Sequence, residues 1–233
     1  MNKSTSVRYP SLLSNDSGTV SILHPINPWI PLWWSAAFPG YGHLLMNNYL
    51  IGYFLVLFEF IVNNLANVNL SIYLSMIGDF SQAKEVINLH FIFIYIGLYV
   101  FSIYDSYRRA VELNNSYKLS YRKTTQINTN NFSPYSINTL NKSNPLVALY
   151  WSFIIPGLGA LYNNRLASFF YSIFWWGTTV YFSKFYIGLY YTCIGQFDRT
   201  RSTIDPQWYL FIPSIFGGVL YSAYWEAVKT KPV

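Results

Sequence analysis

Glu59 sits in the uncharged run Leu55-Val56-Leu57-Phe58-Glu59-Phe60-Ile61-Val62, the only acidic residue inside such a run. A charge at the centre of a bilayer costs about 2.5–3.5 kcal/mol on insertion scales, so such a residue faces protein or water. Two chemistries fit it: a proton or cation site, or a protonated carboxyl hydrogen-bonded to a Tyr or Asn. His43 follows Pro39-Gly40-Tyr41-Gly42. Imidazole can titrate near neutral pH or bind metal. No second ligand lies near it in sequence, so it reads first as a hydrogen-bonded structural histidine. Glu59 and His43 together form the candidate intramembrane polar site. His24 and His90 lie at segment edges. Asp105, Arg108 and Arg109 stand at i, i+3 and i+4, the spacing of a local ion pair. The alternative is a charge cluster that meets a partner or lipid headgroups on the cytoplasmic side.

Other chemistries lack their residues. There is no Ser/His/Asp set in a recognisable context, no pair of carboxylates within an apolar run and no Gly-rich phosphate loop. Cys193 is the single cysteine, and no Cys/His group has metal-ligand spacing. The expectation is therefore a protein that is not an enzyme and carries no metal or other cofactor.

The elements around these residues are apolar. Of 233 residues, 52% are hydrophobic, 21% aromatic and 10% charged. A soluble domain carries about 25% charged residues. Aromatics collect at membrane interfaces, where the ring is apolar and the polar tip reaches water. The fold class expected is an all-α integral membrane protein. The net charge of +6 raises the question of nucleic acid. The basic residues fall between apolar segments, with no reading helix and no RNA-binding signature, so topology explains them better. Residues 1–26 are polar and lack an apolar core, so no cleavable signal peptide is expected.

The chain matches itself at an offset of 117 residues without a gap. Asn27-Pro28 falls on Asn144-Pro145, and Trp34-Ser35 on Trp151-Ser152. Pro39-Gly40-Tyr41-Gly42 falls on Pro156-Gly157-Leu158-Gly159, and Asn47 on Asn164. Ile77-Gly78 falls on Ile194-Gly195, Tyr107 on Tyr224 and Ala110-Val111 on Ala227-Val228. One register held through the loops points to duplication. The domain reading is a polar tail (1–26), repeat 1 (27–113), a polar basic cytoplasmic linker (114–143) and repeat 2 (144–230).

Each repeat has three apolar segments: A (28–46, 145–162), B (49–66, 166–183) and C (89–104, 208–225). Semi-polar stretches, 67–88 and 184–207, separate B from C. B and C read as spanning helices. A carries Pro-Gly-x-Gly, and proline removes a helix donor while glycine admits unusual backbone angles. A is therefore a broken, re-entrant segment or a kinked span, with Pro39, Gly40, Gly42, Asn47, Pro156, Gly157, Gly159 and Asn164 as its structural turn residues. The basic residues separate the two models. If A re-enters, 11 Lys/Arg share one side with both termini, against 4 on the other; if A spans, the best split is 9 against 6. The positive-inside rule favours re-entry, four spans and both termini in the cytoplasm.

The run Asn144-Pro145 through Pro156-Gly157-Leu158-Gly159-Ala160-Leu161-Tyr162-Asn163-Asn164 resembles small bacterial membrane proteins with a duplicated N-P…P-G-x-G-x-x-Y-N hairpin, loosely TM2-domain-like. Tyr104-Asp105-Ser106-Tyr107-Arg108-Arg109-Ala110 is similar to the end of their last helix. The first repeat departs from the pattern at Leu45-Met46, and Asn48 and Arg165 stand where glycine is common. The resemblance implies a membrane-embedded hairpin fold and no particular reaction.

The functional expectation is a non-enzymatic, multi-pass scaffold or accessory subunit of the cell membrane, whose partners are the bilayer and other membrane proteins or a second copy of itself. The alternative is a small transporter or channel that uses the inter-repeat interface and Glu59. A polar cavity around Glu59 would favour transport. A dry, aromatic-filled interface would favour the scaffold.

Overall fold

A computed structural model describes residues 12–16, 19–123, 143–163 and 165–229. Apart from one short hairpin, every element among the described residues is helical. The hairpin pairs β1 (Leu12–Asp16) with β2 (Thr19–Leu23) antiparallel, Leu12 opposite Leu23 and Asp16 opposite Thr19. It lies in the stretch read as a polar tail.

The first run of helices is α1 (Trp29–Ala37), α2 (Tyr41–Leu45), α3 (Tyr49–Ala66), α4 (Val68–Met76), α5 (Phe80–Glu85) and α6 (Leu89–Lys123). The second is α7 (Pro145–Ile154), α8 (Leu158–Tyr162), α9 (Leu166–Phe182), α10 (Phe185–Cys193), α11 (Phe197–Thr203), α12 (Pro206–Tyr209) and α13 (Phe211–Lys229). The same local devices recur in both. Asn27 Oδ1 accepts from Trp29 N at 3.1 Å, and Asn144 Oδ1 from Leu146 N at 3.0 Å, so each Asn-Pro holds the first turn of a helix, Asn144 as its N-cap and Asn27 one residue ahead of it. Asn67 and Lys184 are both left-handed, as are Gly78 and Gly195. Asn88 N donates to Ala66 O, and Asp205 N to Ser183 O.

The Pro-Gly bends fold segment A back on itself. Gly40 and Gly157 carry φ of 91° and 108°, which L side chains rarely adopt. Past the bend, α2 returns against α1. A Cβ on Gly42 would lie 2.1 Å from Pro31 O, and one on Gly159 2.2 Å from Ala148 O, so neither position admits a side chain without moving backbone. Nine residues of α1 extend about 14 Å, half the roughly 30 Å of a hydrocarbon core.

The main core joins the two runs. Phe38, Tyr41, Val56 and Phe60 of the first pack with Phe211, Ile215 and Val219 of the second. Phe60 stacks on Trp175 at 4.0 Å and 4°, and Tyr53 meets Tyr171 at 4.8 Å. A Cβ on Gly218 would reach Tyr41 Cζ at 2.4 Å, so this glycine lets α13 approach the α2 turn.

Two helices, α3 and α6, are long and apolar enough to cross a membrane. Only 44% and 17% of their apolar windows are buried, so both leave apolar side chains facing outward. Leu50, Phe93, Trp29 and Trp33 are among many large apolar residues so exposed. Four segments were expected to span. Of the other two, α9 has 17 residues, and α13 is cut from α12 at Leu210 and carries Ser222, Tyr224 and Glu226 in its second half. The semi-polar stretches between B and C, whose structure was left open, are helical pairs, α4 with α5 and α10 with α11. One further expectation needs correcting. Segment C of the first run does not stop near 104: α6 continues to Lys123, inside the stretch read as linker.

Candidate functional site

His43 and Glu59 do not form one site. Their partners on α6, Asp105 and Tyr95, are ten residues apart, about 15 Å along a helix. His43 is fully buried at the α2 turn, and its Nε2 meets Asp105 Oδ2 at 3.1 Å. Asp105, buried too, accepts from Arg108 at 2.6 Å and from Arg109 Nε at 2.5 Å. Arg108 also reaches Glu112. The i, i+3, i+4 triplet is thus more than a local pair: its carboxylate reaches across to the hairpin. One turn earlier, Ser102 Oγ accepts from Gly40 N at 3.1 Å, which satisfies a backbone donor freed at the bend. His43 Nδ1 and Ser35 Oγ have no partner. The chemistry here is anchoring: one carboxylate holds an imidazole and two guanidiniums.

Glu59 lies in a second cluster at the other end of α3. Its Oε1 accepts from Asn63 Nδ2 at 2.8 Å and Tyr95 Oη at 3.2 Å, while Oε2 has no partner. Asn63 Nδ2 also donates to Asn69 Oδ1, and Asn69 Nδ2 donates to Gln207 O at 2.9 Å. Gln207 Nε2 returns to Asn63 Oδ1 at 2.8 Å, and its Oε1 accepts from Leu70 N at 2.7 Å. This network fastens α3 and α4 to α12. Sequence shows Asn63 four residues from Glu59, on the same helix face. Nothing in sequence points to Gln207, 144 residues from Asn63.

A third polar cluster was missed as a site. Arg165, at the start of α9, pairs with Glu226 near the end of α13 and donates to Tyr49 Oη at 3.0 Å. The pair borders a cavity of about 50 Å³ between the two runs, lined also by Tyr41, Tyr53, Tyr171 and Asn163. Burial works against the Arg165 charge, but Glu226 and Tyr49 outweigh it and hold the guanidinium above its usual range. Asn163 Nδ2 donates to Ala223 O at 2.8 Å, and its Oδ1 has no partner. The only sequence signal was Arg165 standing where the resembling proteins often have glycine.

Of the turn residues, Pro39, Gly40, Gly42, Pro156, Gly157 and Gly159 are buried at the bends. Asn47 is left-handed and accepts from Tyr49 Oη at 3.1 Å. Asn164 lies outside the described residues. Among the described residues, no group of three or more His, Cys, Asp or Glu could hold a metal ion. In comparisons with known proteins, no family model, no curated protein and no solved structure matches the chain. The hairpin resemblance rests on the residues that carry it.

Proposed function

We propose that this protein is a multi-pass membrane scaffold, without enzymatic activity, that packs against other membrane proteins. The observation that carries the reading is the filling of the seam between the two runs. Phe38, Phe60, Trp175, Trp208 and Phe211 close it with ring contacts, and a second cavity beside them has only about 10 Å³. A pore or alternating-access site needs a polar path. Here the polar groups at the Glu59 level are tied to one another. The exposed apolar belt supplies surface for lipid and for partner helices.

The architecture belongs to the same reading. The chain is two copies of one unit, each a re-entrant hairpin followed by two crossings. Supporting this are the 117-residue recurrence of left-handed positions, Asn-Pro helix starts and backbone bonds within each run, and the short fold-back of α2 on α1. Both termini face the cytoplasm, on the side with 11 of the 15 basic residues.

Labelling with a membrane-impermeant thiol reagent on intact cells tests the topology. Native Cys193, exposed at the end of α10, should label from outside. In a Cys193→Ser background, Gln82→Cys should label and Lys123→Cys should not. External labelling at Lys123 would sink the parallel arrangement. For the scaffold, vesicles with reconstituted protein should show no proton or sodium flux above empty vesicles, and crosslinking in cells should give discrete heteromeric bands. Glu59 Oε2, buried and unpartnered, is the one feature that favours proton transport. A flux abolished by Glu59→Gln would establish that reading instead.

A further inference from the structure

We propose that the cavity between the two units binds a zwitterion that joins a phosphate to a primary ammonium, the chemistry of an ethanolamine phospholipid headgroup. The inference rests on the membrane reading above for the level at which the site lies. Tyr49 is the first residue of α3, Arg165 caps α9 and Glu226 lies three residues from the end of α13. All three belong to the end of the molecule that carries the A–B turns, the side assigned to the cytoplasm.

The poles of the site match those of the ligand. A guanidinium has five N–H donors. Arg165 gives one to Tyr49 and one to Glu226, leaving three without a partner among the described residues. Spare donors in a planar fork suit a phosphate oxygen pair. On the acceptor side stand the Glu226 carboxylate and Asn163 Oδ1, which has no partner. Oxygen acceptors suit an ammonium, and Tyr41, Tyr53 and Tyr171 line the same cavity. Arg165 and Glu226 sum to zero charge, so a simple anion meets the carboxylate and a simple cation meets the guanidinium. A neutral ligand with separated poles meets neither penalty. The cavity's 50 Å³ holds about four waters, space for the two carbons and nitrogen of an aminoethyl group with the phosphate at Arg165.

Native mass spectrometry on the purified full chain tests this, in mixed micelles holding equal amounts of ethanolamine, choline and glycerol phospholipids. The ethanolamine lipid should be retained at least fivefold over the other two. The trimethylated choline head cannot donate to Glu226, and the glycerol head has no ammonium. Arg165→Gln and Glu226→Gln should each remove the preference. The double exchange Arg165→Glu with Glu226→Arg keeps an ion pair and reverses the poles. It should fold and still lose the preference. Free phosphoethanolamine separates the two sources: displacement of the lipid supports a headgroup site, while tight binding of the free compound without lipid preference assigns a soluble zwitterion. Equal retention of all three lipids with no uptake of free phosphoethanolamine would overturn the site. So would a gain in glycerol lipid on Glu226→Gln, which marks a plain anion site. Neither outcome touches the membrane reading, which fails only if the chain stays soluble without detergent.

Discussion

The two hairpins share a backbone and differ in how they are fastened. In both, a left-handed glycine turns the chain and a second glycine lets the return helix touch the first. The polar ties are not shared. In the first, His43 on the turn binds Asp105 on α6, which also holds Arg109. At the matching places the second has Ala160, Ser222 and Glu226, and its tie runs from Arg165 to Glu226. The basic residue has moved from the long helix to the turn, and the acid from the turn-facing position to one a helical turn later. Steric fit around the glycines is the part that cannot change, whereas an ion pair can be rebuilt with either sign on either element.

The largest expected effect tests the shared part. Gly42→Ala and Gly159→Ala each place a methyl against backbone oxygen at just over 2 Å. Such overpacking typically costs about 1–3 kcal/mol and occasionally more; with backbone as the obstacle in each hairpin, a loss above about 3 kcal/mol is expected. Folded yield in detergent should fall severalfold for each, and further for leucine. Normal yield and thermal stability for both would mean the hairpin does not close as described. The next test addresses the ties. Asp105→Asn leaves an imidazole and two arginines without their carboxylate, and removing one partner of a buried pair costs about 3–5 kcal/mol. Both arginines reach water, so the lower end is expected. Ser222→Ala, at the matching position, should cost about 1 kcal/mol by loss of one hydrogen bond. Thermal unfolding in detergent checks both, and equal losses would erase the contrast between the hairpins.

The smallest effects concern the seam at Glu59. Glutamine keeps an Oε1 to accept from Asn63 and Tyr95, so Glu59→Gln should unfold within a degree or two of wild type. Glu59→Leu strands the Asn63 amide and should cost roughly 1–3 kcal/mol. Gln207→Leu cuts the polar tie between the units at the Glu59 level. Hydrogen bonds between membrane helices average about 0.6 kcal/mol, so its several bonds should sum to about 1–2 kcal/mol. A neutral Glu59→Leu would place Glu59 in contact with water.

The sequence made legible what depends on local backbone chemistry and left hidden what depends on long-range meetings. The bends at Pro39-Gly40 and Pro156-Gly157 were readable because proline and glycine impose angles regardless of context. Glu59 could be assigned an Asn or Tyr partner from the cost of burial alone. Its link through Asn63 to Gln207 could not, because no periodicity ties residues that far apart. His43 was read as a hydrogen-bonded histidine, but its partner could not be named because Asp105 lies 62 residues away, and the Arg165–Glu226 pair spans 61. The short helices α4, α5, α10 and α11 were missed because they are too short to show a repeat in their polarity.

α6 has 35 residues and Asn114 sits in its last third, where its side chain accepts from Ile26 N at 2.9 Å and donates to Ile26 O at 2.8 Å. A helix of that length measures about 52 Å, against a hydrocarbon core of about 30 Å. If α6 crosses as proposed, some 20 Å of it stands beyond the hydrocarbon as a mast, tied at its side to Ile26. The mast sets a fixed stand-off for whatever follows Lys123. A sideways force applied at its tip acts as a lever on Asp105 and, through it, on the His43 hairpin.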